Sequence, residues 1–144
     1  MPHLPRTATW HLPVPDLETA PYWEGTGSGR LLIKHCDACG RDFFYPRSHC
    51  PRCWSSSTSW KEASGDGVVY TFTIVRQNDL PPFKERLPYV VAIVELDEGV
   101  RLTSNIEGCA TEDVRCGMKV RVTFREEARD EGSVFLPVFR PAEG

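Results

Sequence analysis

The sequence predicts a mainly β chain: a short N-terminal helix, a cysteine-pinned ribbon, and then a small closed barrel. Three observations predict it. Two C-x2-C pairs, Cys36/Cys39 and Cys50/Cys53, have ten residues between them. After Trp60 the chain passes through five or six short runs rich in β-branched and aromatic residues. Beyond a short segment near the N-terminus, no stretch holds a helical period for more than a turn or so. With 144 residues the chain suits one domain carrying a small appendage.

The first element is an extended arm. Residues 1–15 carry Pro2, Pro5, Pro13 and Pro15, which no helix tolerates at that density. Asp16 can cap a helix that begins at Leu17. Leu17, Ala20, Tyr22, Trp23 and later Leu31 give this helix an apolar face. Gly25, Gly27 and Gly29 weaken its second half, so about two turns are expected before Arg30. Arm and helix form the first segment, 1–30. Tyr22 and Trp23 belong either to the core or to a contact with another chain. So short a helix, appended to a ribbon, is expected to have little core of its own.

The ribbon occupies 31–60. Leu31–Lys34 and Asp42–Tyr45 read as strands flanking the first C-x2-C turn. Each pair of cysteines can present two sulfurs on one tight turn, and the hairpin between them can bring the turns together. Tetrahedral Zn²⁺ requires that arrangement of four thiolates, as in rubredoxin-like ribbons. A redox C-x-x-C normally opens a helix in a βαβ unit, and a disulfide framework needs export. The reading is therefore one structural Zn²⁺ per chain, held by Cys36, Cys39, Cys50 and Cys53. Four protein ligands leave no open position for water or substrate. Binding supplies on the order of 10–16 kcal/mol toward folding such a segment. His35 and His49 precede the two turns and are read as surface or supporting residues. Gly40 follows Cys39 where a turn needs positive φ. Trp54 holds the matching place after Cys53 and is expected to pack against a neighbouring strand. Cys109 and Cys116 have no partner pattern and read as buried small side chains.

The barrel occupies 61–144. Val68–Arg76, Tyr89–Glu95, Val100–Ile106, Lys119–Arg125 and Ser133–Phe139 are its strands. Leu96-Asp97-Glu98-Gly99 is a hairpin turn. Lys119–Arg125 alternates, with Val120, Val122 and Phe124 inward. Thr111–Arg115 is a short helix. Five strands in this span fit a five-stranded OB-type barrel. Gln77–Leu87, with Pro81-Pro82 and Phe83, is a long loop and so a functional candidate.

Composition narrows the functions. The longest apolar run is far short of the ~20 residues of a membrane span, so no membrane role is expected. The N-terminus lacks the apolar segment of a secretory signal, which leaves the cytoplasm as the expected location. The net charge is −3. Residues 30–52 hold Arg30, Lys34, Arg41, Arg47 and Arg52 against Asp37 and Asp42. From residue 53 onward, 11 Lys/Arg face 15 Asp/Glu. An acidic barrel is poorly suited to single-stranded nucleic acid, which remains an alternative because ribbons and OB barrels both bind it. No G-x-S-x-G, H-E-x-x-H, Walker loop or G-x-G-x-x-G is present, so the lone chain is not expected to catalyse.

The order of motifs carries a resemblance. Tyr22-Trp23-Glu24, Cys36-x-x-Cys39-Gly40, Pro46-Arg47 and Cys50-Pro51-x-Cys53 are followed by Gly65-x-Gly67-x-Val69-Tyr70-x-Phe72-Thr73. Then come Pro88-Tyr89-Val90-x-Ala92-x-Val94-x-Leu96-x-Glu98-Gly99, Gly117-x-x-Val120 and Phe139-x-Pro141. From about residue 17 to 141 the chain resembles the zinc-ribbon/OB-fold proteins of domain-of-unknown-function family 35. Trp54 departs from the small residue usual after the second knuckle.

The resemblance implies a non-catalytic companion subunit of a thiolase-like or lipid-transfer-protein-type enzyme acting on acyl-CoA thioesters. The partner would carry the reacting residues and share the acyl-CoA with this chain. The contexts it implies are carbon–carbon cleavage in steroid side-chain or aromatic degradation, and condensations. A free-standing acyl-CoA-binding protein is a further alternative. In the companion role Tyr22, Trp23, Phe43, Phe44 and Tyr45 are the expected partner interface, since such rings are enriched there. Arg30, Arg41, Arg47 and Arg52 are the expected contacts of CoA phosphates. The same arginines could instead balance the zinc thiolates or stay solvated.

Overall fold

A computed structural model describes residues 12–129 and 132–142. The proline-rich arm therefore lies largely outside the described residues. Asp16 does organise the entry to the helix: its carboxylate accepts from the Thr19 backbone N–H at 2.8 Å and from the Thr19 hydroxyl at 2.9 Å. Leu17–Thr19 make a turn, and helix α1 runs from Ala20 to Gly27. It stops where its glycines cease to hold a helix. Gly29 takes a φ of 76°, and the Ser28 and Arg30 N–H groups close back on the Gly25 carbonyl.

Three strands make the ribbon: β1 (Leu32–Cys36), β2 (Asp42–Phe43) and β3 (Thr58–Glu62), ordered β2-β1-β3 and antiparallel. The second expected strand is cut to two residues, and β3 was not expected from its serine-rich approach. β3 pairs along the whole of β1, from Leu32 opposite Glu62 to Cys36 opposite Thr58.

The barrel strands are β4 (Asp66–Val75), β5 (Tyr89–Leu96), β6 (Arg101–Ile106), β7 (Lys119–Ala128) and β8 (Ser133–Pro141). They close in the order β4-β5-β6-β8-β7. β6 and β8 run parallel, meeting at Ile106 and Phe139, and the other pairs are antiparallel. This is the five-stranded OB arrangement. Alternation on β5 sends Val90, Ala92, Val94 and Leu96 inward. On β7, Val120 is buried, while Val122 and Phe124 pack partly buried against the core. The expected short helix at 111–115 is a single 3-10 turn, Thr111–Asp113. Within the long loop, Phe83–Arg86 form a one-turn helix, α2. Among the described residues no helix is long and apolar enough to cross a membrane.

Two glycines explain the Gly-x-Gly run before β4's aromatic stretch. A Cβ at Gly67 would lie 2.5 Å from the Glu95 carbonyl oxygen, so only glycine lets β5 come this close. Gly65 has a φ of 85°, and a Cβ there would meet Val122 at 2.6 Å.

The core corrects one expectation. Helix, ribbon and barrel share a single buried cluster, which joins Tyr22, Leu31 and Ile33 to Val69, Val94, Val120 and Phe139. The short helix is thus seated on the barrel's own interior and does not lack a core. A second, much smaller cluster holds only Cys36, Phe43 and Cys50.

Candidate functional site

Two features stand out at the ribbon. The first is the sulfur cluster. The Cys36 N–H donates to the Arg41 carbonyl at 2.8 Å and the Gly40 N–H to the Cys36 carbonyl at 2.8 Å, closing the first knuckle. The second knuckle repeats this, with the Cys50 N–H on the Ser55 carbonyl and the Trp54 N–H on the Cys50 carbonyl, both at 2.9 Å. The two turns bring the Sγ atoms of Cys36, Cys39, Cys50 and Cys53 within 4.8 Å of one another. Cys36 and Cys53 sulfurs are 3.5 Å apart, and those of Cys39 and Cys50 3.8 Å. Zn–S bonds of about 2.3 Å put tetrahedral sulfurs about 3.8 Å apart, so the donor set fits one zinc ion.

Charge supports the same conclusion. The backbone N–H groups of Cys39 and Arg52 each point at a ligand sulfur at 3.4 Å, that of Cys36 and that of Cys50. The Cys50 thiol is pushed down to about 6, first by the Cys53 N–H and then, against burial, by that of Arg52. The Cys53 sulfur gains from the Ser55 N–H, yet the crowding Cys36 sulfur, burial and Cys50 push it up to about 11. With all four sulfurs deprotonated as zinc ligands, the dication among them would offset their charge. No histidine joins the cluster among the described residues. His35 instead pairs through Nδ1 with Asp42 at 2.7 Å, and Lys61 holds the other Asp42 oxygen at 2.7 Å. His49 is exposed. Cys109 is half-buried and Cys116 exposed, so Cys116 is not the buried side chain expected.

The knuckles differ at one position. Gly40 (φ 76°) and Trp54 (φ 63°) occupy equivalent left-handed places. A left-handed side-chain residue costs roughly 1–2 kcal/mol. The packing expected for Trp54 is not there: the indole is 77% exposed.

The second feature is a groove of about 540 Å³ where helix and ribbon meet the barrel. Helix and ribbon line it with Tyr22, Trp23, Phe44, Tyr45 and Arg47, and the barrel with Thr103–Asn105 of β6 and Leu136–Val138 of β8. A second groove of about 620 Å³, under Phe83, Arg86 and Pro88, shares Thr103, Ser104, Asn105 and Arg125 with the first. The two therefore adjoin along β6. An ion network braces the second groove. Arg86 grips Glu127 with two bonds, at 3.0 and 3.2 Å, and Arg125 bonds Glu127 at 2.9 Å and also pairs with Glu107. Glu127 is buried. Sequence reasoning missed this network, because Glu127 follows Glu126 in what reads as a solvated turn.

The expected interface rings separate into two sets. Tyr22 and Phe43 are buried within the chain itself, each completing one of the two cores, and Tyr22 also borders the groove. Burial pushes the Tyr22 hydroxyl well above the usual tyrosine range. Trp23, Phe44 and Tyr45 reach the groove, linked in a ring chain through Tyr22: Tyr22–Trp23 centroids are 4.7 Å apart, Tyr22–Phe44 5.7 Å and Phe44–Tyr45 5.6 Å. Of the four arginines, Arg47 lines the groove. Arg30 sits 4.0 Å from Glu62, and Arg41 and Arg52 are exposed at the knuckles. Lys34 is buried instead, its ammonium 4.6 Å over the Trp60 ring, and burial lowers its pKa.

Known proteins match this architecture in both halves. Residues 23–59 match the family described as the ChsH2 rubredoxin-like zinc ribbon domain, and residues 60–125 the ChsH2 C-terminal OB-fold domain. A DUF35 domain-containing scaffold protein of Methanocaldococcus jannaschii is 40% identical over 118 residues, covering 78% of this chain and 82% of that protein. A probable enoyl-CoA hydratase alpha subunit of Thermomonospora curvata is 37% identical over 130 residues. That match covers 90% of this chain, which spans only 39% of the relative's length. A chain in the solved structure of the Ltp2-ChsH2(DUF35) aldolase superposes with a TM-score of 0.78 at 38% identity, covering 90% of this chain and 98% of that one. With both the cysteine ribbon and the OB barrel matched in order, the chain belongs to the DUF35 family of zinc-ribbon/OB-fold proteins.

Proposed function

We propose that the chain is the non-catalytic small subunit of a thiolase-like heteromeric complex acting on acyl-CoA thioesters. The reaction would be carbon–carbon cleavage or formation, as in an aldolase or thiolase of steroid side-chain or aromatic degradation. The observation that carries this reading is the ring-walled groove between ribbon and barrel. Trp23, Phe44 and Tyr45 line it without being consumed by the core, which suits a seat for a partner segment. Relatives that are subunits of a hydratase and an aldolase support it. The zinc centre, with four sulfur ligands, serves as scaffold: it fixes β1 and β2 and so sets the place of Phe44 and Tyr45.

In this role the companion stabilises the partner and shapes the acyl-CoA channel, with Arg47 meeting a CoA phosphate at the groove. Arg30, Arg41 and Arg52 lie outside the groove. A cytoplasmic location agrees with a thiolate cluster that must stay reduced. Co-expression with a thiolase-like chain followed by size-exclusion chromatography tests the reading. Co-elution, with the partner less stable alone, is expected; separate elution with a stable, active partner would refute it.

A further inference from the structure

Trp54 is poorly explained by folding. It is the one non-glycine residue with positive φ among the described residues. The equivalent place in the first knuckle belongs to glycine, with open space around it. The Trp54 N–H makes the knuckle bond to Cys50 that any residue would make. Its indole covers little, being 77% exposed, whereas Trp23 and Trp60 both pack partly buried against the core. The chain thus bears both backbone strain and a large exposed apolar ring where glycine would serve the fold better.

We propose that Trp54 is an anchor by which the zinc knuckle docks onto the thiolase-like partner chain. This rests on the assembly proposed above and places a second contact on it, outside the groove. The strain fits such a role, since a left-handed turn throws the ring clear of the knuckle while the metal fixes its base. Charge defines the receiving surface. Arg41 and Arg52 are exposed at the knuckles, and the acids beside them are engaged: Asp37 accepts from the Ser59 hydroxyl, and Asp42 is held by Lys61 and His35. The partner site is therefore an apolar slot for an indole, rimmed by carboxylates.

The test compares wild type, Trp54→Gly and Trp54→Asn, both replacements being tolerant of positive φ. Zinc content, melting temperature and affinity for the thiolase-like chain are measured on each. The expected result is full zinc content and an unchanged or raised melting temperature in both variants, with binding weakened about 30-fold or more. Binding within twofold of wild type would overturn the proposal. So would loss of zinc or of melting temperature in both variants, which would make Trp54 a structural residue. Concentration-dependent dimerisation of the lone chain, abolished by Trp54→Gly, would overturn it in favour of a second copy. Quenching of tryptophan fluorescence by oligodeoxythymidylate, lost in Trp54→Gly, would do so in favour of nucleic acid. Failure of the wild-type chain to bind the partner at all would instead remove the assembly reading on which the anchor depends.

Discussion

Stripping the metal should unfold the knuckles and leave the barrel standing. The ribbon's separate core contains only Cys36, Phe43 and Cys50, and two of these three are ligands. Without the ion, Phe43 is its one remaining apolar side chain. Full burial of such a side chain is worth about 1.5–3 kcal/mol, against an ordering cost of about 1–2 kcal/mol for each knuckle residue. A zinc contribution on the order of 10–16 kcal/mol is what reverses that balance. The barrel keeps its own cluster around Val69, Val94, Val120 and Phe139. Hydrogen exchange after chelation reads both halves at once. The Cys36, Gly40, Cys50 and Trp54 amides, all bonded across the knuckles, should lose protection, while those of β5 and β7 keep theirs. Persisting knuckle protection in metal-free protein would refute the reasoning, as would collapse of the barrel amides together with them.

Four further outcomes follow from the same geometry. Cys36→Ser should lower zinc content below one ion per chain and give insoluble or partner-free protein, read by elemental analysis and chromatography. Gly67→Ala forces a methyl to 2.5 Å from the Glu95 carbonyl oxygen and should cost about 1–3 kcal/mol, measured as a lower urea midpoint at an unchanged slope. Glu127→Ala leaves Arg86 and Arg125 without their shared buried carboxylate. It should cost about 3 kcal/mol and speed proteolysis of the 77–88 loop, because Arg86 is its tie to β7. Trp23→Ala removes a groove-lining ring that also packs edge-on to Tyr22. Its partner affinity should fall more than its melting point, and the reverse result would place Trp23 in the core alone.

What was legible in the sequence had short-range causes. Metal-ligand spacing gave the sulfur cluster, because two tight turns and one hairpin suffice to assemble it. Period-two alternation gave the barrel strands. Strand β3 escaped notice because Ser55–Ser57 and Ser59 look like loop, and it exists through its pairing with β1. The burial of Tyr22 and of Phe43 has a related cause. Tyr22 belongs to a cluster that reaches as far along the chain as Phe139, and Phe43 closes on Cys36 and Cys50 across the knuckle turns; the residues beside each ring show neither neighbourhood. The Glu127 brace, which joins residues 86, 107, 125 and 127, was hidden in the same way. Trp54 was visible as an anomaly, but the expectation that it packs treated exposure of an indole as something folding would avoid.

The account depends most on this chain completing an enzyme without supplying a reacting group. Acyl-CoA turnover measured on the chain alone, on the thiolase-like partner alone and on the reconstituted pair tests that directly. Turnover confined to the partner, and rising when the zinc-loaded chain is added, is the predicted result. Turnover by this chain alone, or a partner equally active with and without it, would contradict the account.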